Sequence, residues 1–137
     1  MVGKLIVFEG LDRSGKSTQC SKLVEVLNSL GYFSELLKFP NRTTQIGQII
    51  SQHLQNIIHL SDETFHLLNS ANRWELSKII LEKLNSGINI ILDRYIYSGL
   101  VYSLSKGLDF QWCQNSDKGL PIPDFIIFID LDIDINK

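Results

Sequence analysis

The chain is poor in the features that mark several classes of protein. It has two cysteines in 137 residues, Cys20 and Cys113, and their separation fits no metal-binding pattern. That predicts free thiols in a reducing compartment rather than a disulfide framework. No apolar stretch is long enough to span a bilayer. Lys4 and Glu9 interrupt the N-terminal apolar run, which argues against a signal peptide. Together these absences predict a cytoplasmic protein with no membrane partner. Basic charge is not in excess either: 13 Lys and Arg face 15 Asp and Glu, for a net charge of −2. A general nucleic-acid binder wants a basic face, so nucleic acid is not expected as a partner. Repeats, low-complexity tracts and linkers are missing too. The length and the 44% hydrophobic content predict one globular domain over residues 1–137.

What the chain does have is concentrated near its start. The apolar run 4–9 leads directly into Gly10-Leu11-Asp12-Arg13-Ser14-Gly15-Lys16-Ser17-Thr18. This fits G-x-x-x-x-G-K-[ST], the phosphate-cradling P-loop. Four such fixed positions should arise by chance in well under about 1% of chains this long. Gly10 and Gly15 permit turn angles that a Cβ forbids. Backbone N–H groups of the loop then converge on a polyphosphate, aided by the positive end of the helix starting near Lys16. Lys16 supplies a point charge for the terminal phosphates, and the Ser17 hydroxyl can ligate magnesium.

Apolar runs bounded by turns predict strands at 4–9, 33–39, 88–93 and 125–130. Helical patterns separate them at 16–30, 44–54, 62–85 and 94–104. The runs are rich in Ile, Val, Leu and Phe without clean alternation, as expected of strands buried on both faces. The predicted fold is α/β, a parallel sheet of P-loop NTPase type with helices on both faces. Ligands in such sheets bind beyond the carboxyl ends of strands. There the chain places Phe39-Pro40-Asn41-Arg42 after the second strand and Asp93-Arg94-Tyr95 after the third. Arginine suits phosphate because its planar fork donates two parallel hydrogen bonds. An aspartate closing a strand beside a P-loop can hold magnesium. Asn69 and Arg73 share a face of the third helix, in a stripe with Phe65 and Leu76, and Arg94, Ser98 and Tyr102 recur at four-residue spacing. His66 reads as a surface or packing residue, and Trp74 and Trp112 as packing residues.

With these motifs in place the chain resembles the eukaryotic type of thymidylate kinase, a P-loop nucleoside monophosphate kinase, over essentially its whole length. The resemblance rests on Phe8 to Gln19, Leu37-Lys38-Phe39-Pro40 with Arg42, Ile46-Gly47, His66-Leu67-Leu68 with Ser70-Ala71-Asn72-Arg73-Trp74-Glu75, Asp93-Arg94-Tyr95 with Ser98-Gly99, and Gly119-Leu120-Pro121 with Pro123-Asp124. It implies transfer of the terminal phosphoryl group of ATP to thymidine monophosphate, with Mg2+, in a homodimer. By resemblance, Gly10, Arg13, Ser14, Gly15, Lys16, Ser17 and Thr18 would hold ATP. Ser17 and Asp93 would hold the metal. Arg13, Lys16 and Asp93 would be the catalytic set, with Arg13 stabilising charge on the transferring group. Asp12 would accept a hydrogen bond from the acceptor's 3′-hydroxyl, Arg42 and Arg94 would grip its phosphate, and Arg73 would bond the thymine edge. Phe39, Pro40, Leu54, Gly99 and Tyr102 would line the acceptor pocket.

Two positions depart from the family. Asn69 stands where the family carries an aromatic residue that stacks on thymine. The chain also stops at Lys137, just after the fourth predicted strand, whereas the family continues into a lid and a fifth strand. Relative to the family the domain is therefore expected to be C-terminally incomplete, with little turnover by itself. A kinase for another nucleoside monophosphate and a non-catalytic nucleotide-binding fragment remain the alternative readings. A GTPase is disfavoured because no N-K-x-D guanine motif occurs.

Overall fold

The computed structural model of the chain describes residues 2–130. The four apolar runs form parallel strands: β1 (Leu5–Gly10), β2 (Ser34–Lys38), β3 (Asn89–Asp93) and β4 (Phe125–Ile129). Their order in the sheet is β2-β3-β1-β4. Residue Leu5 pairs with Ile90 and Phe8 with Asp93, so the carboxyl ends of β1 and β3 finish level. Around the sheet run α1 (Lys16–Ser29), α2 (Gln45–Leu54), α3 (Asp62–Asn85), α4 (Ile96–Ser105) and α5 (Phe110–Asn115). The strands and the first three helices lie within two residues of the sequence expectation.

The pleat of the two central strands divides the core. Leu5, Val7, Ile90 and Leu92 pack on one face against Ile80 and Leu84 of α3. Phe8 and Ile91 pack on the other face against Cys20, Leu23 and Leu27 of α1. Helices therefore cover both faces of a parallel α/β sheet, as the Ile-rich runs predict. Local chemistry starts the helices. Thr44 accepts the Gly47 N–H at 3.0 Å before α2, Ser61 accepts the Thr64 N–H at 3.1 Å before α3, and Asp109 accepts the Trp112 N–H at 2.9 Å before α5.

Three expectations need correction. The strand β4 is as apolar as its neighbours but is not buried: Phe125, Ile126 and Phe128 are each more than half exposed. Among the described residues it pairs only with β1, at the edge of the sheet. The helix expected from 94 begins instead at Ile96, because Arg94 takes a left-handed φ of 69°. Finally, α5 lies in a stretch where sequence periodicity shows no element, since six residues are too short to establish a helical period.

Candidate active site

Two clefts open along the carboxyl ends of β1, β2 and β3. The first is built by the P-loop. The chain leaves β1 at Gly10, turns, and enters α1 at Lys16; Gly15 makes the turn with φ 84°. Residues Leu11 to Thr18, with Lys38 and Arg94, line a cleft of about 260 Å³. Lys16 and Asp93 form a buried ion pair, and the Ser17 hydroxyl donates to the other Asp93 oxygen at 2.7 Å. Burial opposes charge on Asp93, but bonds from Lys16 and Ser17 and the charges of Lys16 and Lys38 outweigh it. The carboxyl pKa therefore lies below the ordinary range. The Ser14 hydroxyl is buried with no partner among the described residues. A buried hydroxyl without a partner is costly, and a bound phosphate oxygen would satisfy it.

The second cleft, of about 370 Å³, lies between the loop after β2 and helices α3 and α4. All ten residues expected on the acceptor side line it: Asp12, Phe39, Pro40, Arg42, Leu54, Asn69, Arg73, Arg94, Gly99 and Tyr102. It also includes Phe65, His66, Tyr95, Ser98 and Ser103, to which the sequence attaches no such role. Phe65 was legible as a stripe residue. Its ring sits 4.5 Å from that of His53 and meets Tyr102 edge-on at 5.3 Å. Asn69, one turn further along α3, donates its amide to the Phe65 carbonyl at 2.9 Å. Asp12 and Arg94 belong to both clefts and pair with each other across their junction.

Three buried polar residues outside the expected set hold this arrangement. Glu9 sits within β1, and its carboxylate accepts the Tyr95 N–H at 2.9 Å, the Ser98 N–H at 3.4 Å and the Ser98 hydroxyl. It caps α4 from outside and fixes the turn that carries Arg94. An acidic residue inside an apolar strand run was the available signal. Asp117, in the loop after α5, takes a forked bond from Arg73. His66 is fully buried rather than superficial; its ring nitrogens lie 2.6 Å from the Ser103 hydroxyl and 2.9 Å from the Cys113 carbonyl, tying α3 to α4 and α5. Trp74 is partly exposed and donates to the Ser116 carbonyl at 2.7 Å, so it braces the same loop rather than filling the core.

The described residues contain no helix long and apolar enough to cross a membrane, and no group of three or more His, Cys, Asp or Glu that could hold a metal ion. Comparison with known proteins agrees with the geometry. Residues 8–137 match the model of the thymidylate kinase family. The chain is 54% identical over 130 residues to a thymidylate kinase of Schizosaccharomyces pombe, covering 95% of this chain and 62% of that protein. It is 47% identical over 132 residues to the thymidylate kinase of Homo sapiens, covering 96% and 62%. The structure of thymidylate kinase from Candida albicans superposes with a TM-score of 0.84 at 48% identity, covering 96% of this chain and 64% of that one. The chain thus spans less than two thirds of the length of these curated relatives. Family model, relatives and fold coincide: the chain belongs to the thymidylate kinase family.

Proposed function

We propose that the protein transfers the terminal phosphoryl group of ATP to thymidine monophosphate. The observation that carries this reading is the meeting of the two clefts at Asp12 and Arg94. A donor polyphosphate in the P-loop and an acceptor phosphate at Arg42 and Arg94 would face each other there. Gly10, Ser14, Gly15 and Thr18 belong to the loop that would wrap the donor. Lys16 is in reach of both Asp93 and the cleft, so it can exchange its carboxylate for phosphate oxygens. Arg13 would stabilise charge on the transferring group as an acceptor-phosphate oxygen attacks phosphorus and ADP leaves. Such chemistry needs positioning and charge neutralisation more than covalent help. Asp12 would take the 3′-hydroxyl, Arg73 the base edge, and Phe39, Pro40, Leu54, Gly99 and Tyr102 would enclose the nucleoside.

Magnesium fits the donor set. Ser17 and Asp93 offer one hydroxyl and one carboxylate, already 2.7 Å apart, and Mg2+ is usually held by one or two protein oxygens plus substrate phosphates. When bound there it would neutralise charge on the donor phosphates.

We further read residues 1–137 as one domain of this kind. A homodimer is supported by Leu67, Trp74 and Leu81, which recur every seven residues along α3 and stay partly exposed. A cytoplasmic setting agrees with two free, buried cysteines. The test is calorimetric titration of the chain with thymidine, cytidine, uridine and adenosine monophosphates (deoxy forms), followed by chromatography of the products after adding ATP and Mg2+. Thymidine monophosphate should bind tightest, and any diphosphate formed, in the low yield expected of this chain by itself, should be that of thymidine. Tightest binding of the purine monophosphate would refute the assignment.

A further inference from the structure

The two ends of the acceptor cleft carry arginines in opposite electrostatic states. At the α3–α4 end, Arg73 directs Nε to Asp117 Oδ1 at 3.1 Å and Nη2 to both carboxylate oxygens at 3.0 and 2.9 Å. Ser70 adds a hydroxyl bond to Asp117 Oδ1 at 2.8 Å. Both partners of the pair are almost sealed, with side chains 3% and 4% exposed. At the other end, Arg42 takes part in no ion pair among the described residues, and the Asp12 that pairs with Arg94 has its side chain 93% exposed. Water screens the second pair and hardly reaches the first.

We propose that Asp117 is a positioning residue that sets the direction in which a nucleotide enters the cleft. The proposal rests on the reading of this cleft as the monophosphate site. Asp117 cancels the charge of Arg73 while leaving it a hydrogen-bond donor. A guanidinium has five N–H groups; with Nε and Nη2 engaged, the two on Nη1 remain, and Nη1 makes no contact with Asp117. That edge lies against Gly99, where a Cβ would come within 3.0 Å of it, so a side chain there would displace it. The result is a donor for a carbonyl of the base that does not compete for phosphate. The phosphate is left to Arg42 and Arg94, beside the P-loop. Without Asp117 both ends of the cleft would attract an anion, and a nucleotide could lodge backwards.

The experiment uses thymidine, which lacks a phosphate, as the ligand and inorganic phosphate as the competitor, in calorimetric titrations of the whole chain. Phosphate should leave thymidine affinity nearly unchanged in the wild type. In Asp117→Asn, phosphate should weaken apparent thymidine affinity by about tenfold or more. A merely structural role would lower the melting temperature without creating this competition. An Asp117→Asn protein that melts as a folded protein and shows no phosphate competition overturns the proposal. Arg73→Gln with Asp117→Asn guards against loss of folding, since it leaves no unpaired buried charge. This neutral pair should show as little phosphate competition as the wild type, and strong competition in it would also overturn the proposal. Failure of the wild type to bind thymidine monophosphate would instead strike at the assignment of the cleft, a distinct outcome.

Discussion

The two clefts each contain a buried ion pair, and the pairs differ in what they can do next. In the P-loop, Lys16 and Ser17 share the two oxygens of Asp93, and both belong to the cleft that would receive phosphate and metal. On the proposed reading, every partner in that triad would have an alternative partner in the ligand. In the acceptor cleft, Asp117 is engaged by Ser70 and three times by Arg73, with no lining role of its own. The first pair is an exchangeable placeholder and the second a fixed brace. A site for a charge that moves needs the former; a site that reads a shape needs the latter.

The contrast is broken most severely at Lys16. In Lys16→Ala, Asp93 loses its cation, and the exchange partner for phosphate is gone. Calorimetry should show loss of ATP–Mg2+ binding, and any transfer should fall by about a thousandfold or more, the order seen for one transition-state charge donor. Binding equal to wild type would mean that the triad is structural. Because a lone buried carboxylate costs about 3–5 kcal/mol, a thermal melt belongs beside that titration.

On the braced side, Asn69→Phe adds a ring next to Phe65 and Tyr102. If thymine lies against that wall, thymidine monophosphate should bind tighter, by up to about tenfold, from the roughly 0.5–1.5 kcal/mol that an aromatic pair contributes. Unchanged or weaker affinity would place the base elsewhere in the cleft.

The mildest effect concerns Cys20, which packs behind the triad. Burial, followed by the nearby Asp93 charge, pushes its thiol up to about 12. A group with a raised folded pKa contributes its stability in full below its unfolded value, near 8.5, and loses it as pH rises toward the folded value. Stability should therefore decline between about pH 8.5 and 12, and the decline should be shallower in Cys20→Ala. Equal alkaline slopes in urea titrations would show that the thiol ionises freely in the folded chain.

The same contrast explains what was legible. The P-loop could be read because its chemistry lies in nine contiguous residues with fixed types. Arg42, Arg73, Arg94 and Tyr102 stood out as residues that close strands or share a helix face, since strand ends and four-residue spacing are visible in one dimension; their assignment to an acceptor pocket, with Leu54 and Gly99, came from the family resemblance. Asp117 was invisible by that route. It sits in Ser116-Asp117-Lys118-Gly119, which reads as an ordinary polar turn, after a helix too short to show a period. Its partner lies 44 positions back on α3. His66 stayed open between surface and packing for a related reason: no pattern distinguishes a histidine that bridges three helices from one that faces water. The edge position of β4 was expected, but the exposure of its faces was not legible, because burial of an apolar strand depends on what is laid over it.

That strand has a bearing on handling the protein. Phe125-Ile126-Ile127-Phe128-Ile129 is an uncharged, proline-free window of high β propensity, held along one side only among the described residues. Windows of that composition with a free backbone edge seed intermolecular β pairing. A charged residue placed outward in β4 would act as a gatekeeper, and solubility, rather than catalysis, is the property it would improve.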